Sequence, residues 1–317
     1  MAKDTTIGII GLGMIGDSMS VLTSGHGFKT VCVVRRPEMI PEYKATYSAY
    51  FKQMIDKGLM PANQAEICER YVSYTTDYND LAECGIVFEC VTENLELKHS
   101  IYAQLEEKCP KLQAIASVSS SFVPEVLAAK AAKYKDRIVV AHPFNPAHMV
   151  PYFELCGSET DDRSAALEFT RDVLTRLSRK PVILKKSAPG FIGNRLQFAL
   201  WREALNLVES GICDPRDVDT CLEYSFCPRY TSIGIFEHFD NGGLKLNITT
   251  CETVFPTLSN APDAPSVRAK IESGDTGARA DSKTGFYDWN GVDMDAYRER
   301  VSAPYWDFVK SWDLPTA

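Results

Sequence analysis

The feature that most constrains this chain lies at its start. An apolar run, Thr6 to Ile10, enters Gly11-Leu12-Gly13-Met14-Ile15-Gly16, and residues 17–22 can continue as a helix. A strand, a glycine turn and a helix N-terminus bring backbone N–H groups and a positive dipole end to one point, which is a phosphate site. The glycines allow a tight turn, close approach of backbone to a pyrophosphate, and close helix–strand packing. Gly11, Gly13, Met14, Ile15 and Gly16 are therefore candidate dinucleotide contacts. Asp17 reads as a solvated first-turn carboxylate favoured by the helix dipole.

Seven further short β-rich runs follow, at 30–34, 72–74, 86–89, 114–117, 138–141, 152–155 and 182–184, with helical stretches between them. Most are apolar on both faces, as strands of a parallel sheet covered by helices must be. The expected fold is α/β: a Rossmann-like, doubly wound, mainly parallel sheet over residues 1–187, followed by an all-α C-terminal domain over residues 188–317. The texture changes at Lys185-Lys-Ser-Ala-Pro-Gly. A long amphipathic stretch from 191 to 210 then ends at Gly211, a suitable C-cap, and Asp214-Pro215 restarts a helix near Val218.

A chain of 317 residues with 45% hydrophobic and 24% charged residues has room for two cores and is not disordered. Its net charge of −8 weighs against a nucleic-acid partner, because the surface repels a phosphate backbone. No apolar run approaches the roughly 20 residues of a membrane helix. The ten cysteines form no C-x-x-C pair and no zinc-like spacing, so no metal is expected and the thiols read as reduced. With no leader-like pattern at Met1, a cytoplasmic location is expected.

The second strand runs out as Val31-Cys32-Val33-Val34-Arg35-Arg36-Pro37. An NAD enzyme carries an acid about 20 residues beyond the glycine loop to hold the ribose 2′-hydroxyl. Val34 stands there instead, and Arg35 and Arg36 suit a 2′-phosphate. NADP is the preferred cofactor on this reading, with NAD possible.

A strand-end histidine sits in His142-Pro143-Phe144-Asn145-Pro146, and Glu154 follows twelve residues later. A carboxylate on the next strand could hold one imidazole nitrogen so that the other acts as a base. These segments, with Glu93-Asn94-Leu95 and Lys98, Ser117-Val118-Ser119-Ser120-Ser121, Pro189-Gly-Phe-Ile-Gly-Asn194-Arg195-Leu196 and Lys283-Thr-Gly-Phe-Tyr-Asp288, resemble the L-3-hydroxyacyl-CoA dehydrogenase superfamily. The stretches from Glu93 to Leu105 and from Asn194 to Gly234 look most like the branch containing lambda-crystallin/L-gulonate 3-dehydrogenase and carnitine dehydrogenase. The fatty-acyl-CoA branch fits less well, since residues 41–70 hold only scattered lysines.

The resemblance implies an oxidoreductase acting on a small 3-hydroxy or 3-oxo acid. His142 would be the base, Glu154 its orienting carboxylate, Ser120 a donor to the substrate oxygen, and Asn194 a group placing substrate and nicotinamide. It also puts Glu93 and Lys98 among the cofactor-binding residues and implies a homodimer through the helical domain. Ser119 and Ser121 remain alternatives to Ser120, and Val118-Ser119 departs from the family's usual Asn-Thr. Arg229, in Cys227-Pro228-Arg229-Tyr230, is the candidate partner for a substrate carboxylate, with Arg195 competing and a pairing with Glu223 or Glu237 as the plainer reading. The alternatives are a 3-hydroxyacyl-CoA dehydrogenase and a non-catalytic, crystallin-like nucleotide-binding protein.

Overall fold

The computed structural model describes residues 5–157, 164–278 and 282–316. The chain divides into two compact units, residues 1–192 with 298–317, and residues 193–297. The first is built on an eight-stranded sheet: β1 (Thr6–Ile10), β2 (Thr30–Val33), β3 (Val72–Thr75), β4 (Cys84–Glu89), β5 (Ala114–Ser117), β6 (Ile138–Pro143), β7 (Tyr152–Cys156) and β8 (Lys180–Ile183). The order is β3-β2-β1-β4-β5-β6-β7-β8. Every neighbouring pair is parallel except β6 and β7, which are antiparallel. The α/β, Rossmann-like expectation holds, and all eight sequence-predicted runs are strands.

Alternation along each strand sends side chains to two cores. Ile9, Cys32, Phe88 and Ala116 join one, with Met19 and Leu22 of α1 (Met14–Gly25) and Phe51 of α2 (Ile40–Asp56). Cys68 of α3 (Gln64–Glu69) also lies in the first, while Ile10, Val33, Val87 and Ile115 join the other, with Tyr102 and Leu105 of α4 (Leu95–Lys108) and Leu127 of α5 (Pro124–Leu127). On the first face α6 (Ala165–Arg176) adds Leu167, Val173 and Leu174. Each fully buried Val, Leu, Ile, Phe or Met among these contributes about 1.5–3 kcal/mol by leaving water. Strand order reverses between β1 and β4, so a crevice opens at the carboxyl ends of the strands there.

The second unit is helical among its described residues. It contains α7 (Gly193–Glu209), α8 (Pro215–Tyr224), α9 (Cys227–Tyr230), α10 (Ile235–Asn241), α11 (Leu244–Val254) and α12 (Pro265–Glu272). Gly211 closes α7 at φ +68°, and Asp214 with Asp217 forms a capping box that restarts the chain as α8.

One expectation needs correction: residues 188–317 are not a single helical domain. After α13 (Met294–Ser302) the chain returns to the first unit, where α14 (Trp306–Val309) and Trp312 bury Trp306, Val309 and Trp312 in its larger core. Gly25 is what admits Trp312, since a Cβ there would lie 2.4 Å from the indole. No helix of the described residues is long and apolar enough to cross a membrane.

Candidate active site

The turn after β1 needs its glycines. Gly11 takes φ +88°, and a Cβ on Gly16 would lie 2.0 Å from the Gly11 carbonyl oxygen. Gly13 has open space where a Cβ would stand, and both it and Met14 are exposed at the start of α1. A bare backbone at the positive end of a helix fits a dinucleotide pyrophosphate. Arg35 and Arg36 lie exposed just past β2, and neither pairs with a carboxylate among the described residues. Asp17 departs from expectation: it is half-buried, and burial, with Glu42 nearby, raises its pKa to about 6.

His142 and Glu154 face each other across β6 and β7, with His142 Nδ1 2.9 Å from Glu154 Oε2. In the neutral imidazole this contact places the proton on Nδ1, toward the carboxylate, and leaves Nε2 unprotonated. Glu154 Oε1 accepts from the Ile192 N–H at 2.7 Å and from the Tyr152 hydroxyl at 3.3 Å. The rings of Phe144 and Phe191 flank the imidazole at 5.7 and 5.5 Å. The prediction that this carboxylate would lie beside this histidine thus has its geometry.

Sequence reasoning missed Glu89, at the end of β4. Its carboxylate is buried and receives Lys98 Nζ at 2.9 Å on each oxygen, Tyr102 Oη at 2.8 Å, Ser117 Oγ at 2.7 Å and the Val91 N–H at 2.9 Å. Lys98, which the family resemblance puts among the cofactor-binding residues, has its side chain wholly buried in that pair. Its second neighbour is Glu93, at 3.6 Å. Glu93 accepts from Ser119 Oγ at 2.8 Å and from the Ser120 N–H at 2.9 Å. Ser119 Oγ also accepts from the Ser121 and Phe122 N–H groups, so it is committed to the turn. Ser120 and Ser121 are both exposed. The signal for Glu89 was available: a charged residue ending an apolar strand needs a partner.

Two loops meet near the glycine turn: Asn145 Nδ2 lies 2.8 Å from Met14 Sδ. Asn194 stands in the first turn of α7, and Arg229 in α9, both in the second unit. Arg229 is exposed and its guanidinium approaches His238 Nε2 at 3.5 Å, not Glu223 or Glu237. Among the described residues no cluster could hold a metal ion.

A parallel sheet with a glycine turn at its reversal point and a histidine–carboxylate pair two strands beyond β4 defines a dinucleotide-binding unit of the dehydrogenase kind. Residues 6–187 match the family described as 3-hydroxyacyl-CoA dehydrogenase, NAD binding domain, and residues 190–289 match its C-terminal domain. The chain belongs to the 3-hydroxyacyl-CoA dehydrogenase family. It is 30% identical over 193 residues to the L-carnitine dehydrogenase of Mesorhizobium japonicum, a match covering 61% of this chain but only 51% of that one. It is 32% identical over 233 residues to the lambda-crystallin of Oryctolagus cuniculus, covering 72% of each. A solved structure of 5-formyl-3-hydroxy-2-methylpyridine 4-carboxylic acid 5-dehydrogenase, described as an NAD+ dependent dismutase, superposes with a TM-score of 0.83. That match has 27% identity and covers 95% of this chain and 96% of that one.

Proposed function

We propose that this chain is an oxidoreductase interconverting the 3-hydroxyl and 3-oxo forms of a small hydroxy acid, with NADP preferred over NAD. The observation that carries the reading is the His142–Glu154 pair across β6 and β7, whose connecting loop touches the glycine turn through Asn145 and Met14. His142 Nε2 takes the hydroxyl proton as the alcohol is oxidised, and Glu154 stabilises the imidazolium formed. Ser120 donates to the substrate oxygen as its charge changes, and Asn194 places substrate and nicotinamide. Glu93 holds the Ser119–Ser121 turn in place. Arg229 receives the substrate carboxylate. Gly11, Gly13, Met14, Ile15 and Gly16 hold the pyrophosphate, and Arg35 and Arg36 the 2′-phosphate. The dinucleotide, when bound, supplies the hydride acceptor or donor.

A homodimer is part of the proposal. Leu196, Phe236, Leu246 and Phe255 of the second unit are all more than half exposed, a spread of apolar surface that a second copy could cover. Ten free cysteines suit the reducing conditions of a cytoplasm.

The test is a panel of small hydroxy acids and 3-hydroxyacyl-CoA esters offered with NAD and with NADP, read at the nicotinamide absorbance. Turnover of a free hydroxy acid is expected. Turnover of acyl-CoA esters alone would move the substrate to the other branch, and no turnover at all would favour a non-catalytic nucleotide binder.

A further inference from the structure

A buried guanidinium without a carboxylate is costly for a fold to keep, and Arg179 is one. It lies just before β8, 2% exposed, with no ion-pair partner among the described residues. Burial pushes its pKa down to about 10. Its Nε donates to the Leu177 carbonyl at 2.9 Å, and its Nη1 lies 3.2, 3.3 and 3.4 Å from the carbonyls of Ala147, His148 and Val150. Its Nη2 has no hydrogen-bond partner there. Trp312, from the returning C-terminal segment, covers the group with its ring 5.9 Å from Cζ.

The three carbonyls on Nη1 belong to the connection between β6, which carries His142, and β7, which carries Glu154. The same turn is fastened to α1. The His148 N–H donates to Ser18 Oγ at 2.9 Å, and the same hydroxyl is hydrogen-bonded to His148 Nδ1 at 2.7 Å. Ser18 is one helical turn beyond Met14, the residue Asn145 touches. Arg179 therefore clamps a turn whose two ends are the base and its carboxylate and whose flank rests on the cofactor helix.

We propose that Arg179, kept dry by Trp312, is a positioning residue for His142, and that the C-terminal segment beyond residue 297 is a working part of the catalytic unit. Both family matches end before that segment, at residues 187 and 289. Removing the indole lets water reach the guanidinium and compete for its carbonyls. The turn loosens, and His142 loses alignment with the substrate hydroxyl. The inference rests on the reading of His142 as the base.

The full-length Trp312→Ala variant tests this, assayed below its melting temperature with Trp312→Phe and His142→Gln beside it. We expect kcat to fall about tenfold to a hundredfold, the loss typical of a small misplacement of a reacting group, with the KM for the dinucleotide within about twofold of wild type. Trp312→Phe, which keeps an aromatic face over the cation, should recover most of the loss. Nitrogen NMR of His148 gives a readout independent of activity. The ring should remain a neutral Nε2–H tautomer from pH 8 to about 5 in wild type and become titratable in that range in Trp312→Ala. If Trp312→Ala does not fold, Arg179→Lys, which keeps the charge but loses the fork, should show the same fall in kcat and the same His148 change. A folded variant with wild-type kcat and an unchanged His148 overturns the inference alone, provided His142→Gln is inactive. Full activity in His142→Gln overturns the reading it rests on and the inference with it.

Discussion

His142 and Glu154 are directly opposed residues at the single antiparallel step of the sheet, with the imidazole Nδ1 2.9 Å from the carboxylate. Register makes this pair. A slip of one residue would turn Glu154 to the opposite face and leave a buried imidazole without its acceptor. The Ile192 N–H on the other carboxylate oxygen keeps Glu154 aimed when the sheet fluctuates.

Cofactor preference follows from the end of β2. A guanidinium–phosphate hydrogen bond contributes about 1.5–3 kcal/mol, so Arg35→Ala should raise the KM for NADP by roughly ten- to a hundredfold and leave that for NAD nearly unchanged. Steady-state kinetics with both dinucleotides decide it. Wild-type protein saturating at lower NAD than NADP would mean that the arginines serve only the solvated surface.

The Glu89–Lys98 pair gives a stability prediction. Lys98→Met strips a buried carboxylate of the cation paired with it and should cost about 3–5 kcal/mol in urea unfolding. The double variant Glu89→Gln/Lys98→Met should recover much of that, because no charge is then left buried. A loss under about 1 kcal/mol in the single variant would show that the hydrogen bonds from Tyr102, Ser117 and Val91 suffice alone.

Asp17 sets a pH dependence. Its folded pKa of about 6 lies above the ordinary value of 3.8, so the folded protein holds a proton that the unfolded chain has released across that window. Stability from this group is complete below about pH 4 and lost as pH rises through 6. Asp17→Asn should therefore melt higher than wild type at pH 7, with the gap closing as pH falls to 4. An advantage that is constant with pH would assign the gain to packing instead.

Substrate charge is tested at Arg229. Arg229→Met should raise the KM for the acid substrate by about tenfold or more and scarcely change that for the matching amide. An equal change for both would leave Arg229 as a partner of His238 within the second unit.

The sheet was legible because short runs apolar on both faces have few other uses, and each of the eight became a strand. His142 and Glu154 were legible because a strand-end histidine and a carboxylate on the next run imply an opposed pair. The family resemblance put Lys98 beside the cofactor, but the ion pair with Glu89 was not legible, because Glu89 closes an apolar run and reads as the end of a strand rather than half of an ion pair. The last segment was not legible. Trp306 and Trp312 announce burial, but side-chain hydrophobicity does not say against which core, and nothing local to Arg179 reveals that its guanidinium will face three carbonyls some thirty residues earlier in the chain.

The most direct test of the account is turnover of His142→Gln against wild type on the best hydroxy acid from the panel, with dinucleotide affinity measured on the same preparations. The account predicts a loss of about 10²–10⁴-fold in kcat with dinucleotide affinity retained, since the base acts on the substrate proton and lies outside the glycine turn. Near-wild-type kcat in that variant would contradict it and leave His142 a structural partner of Glu154.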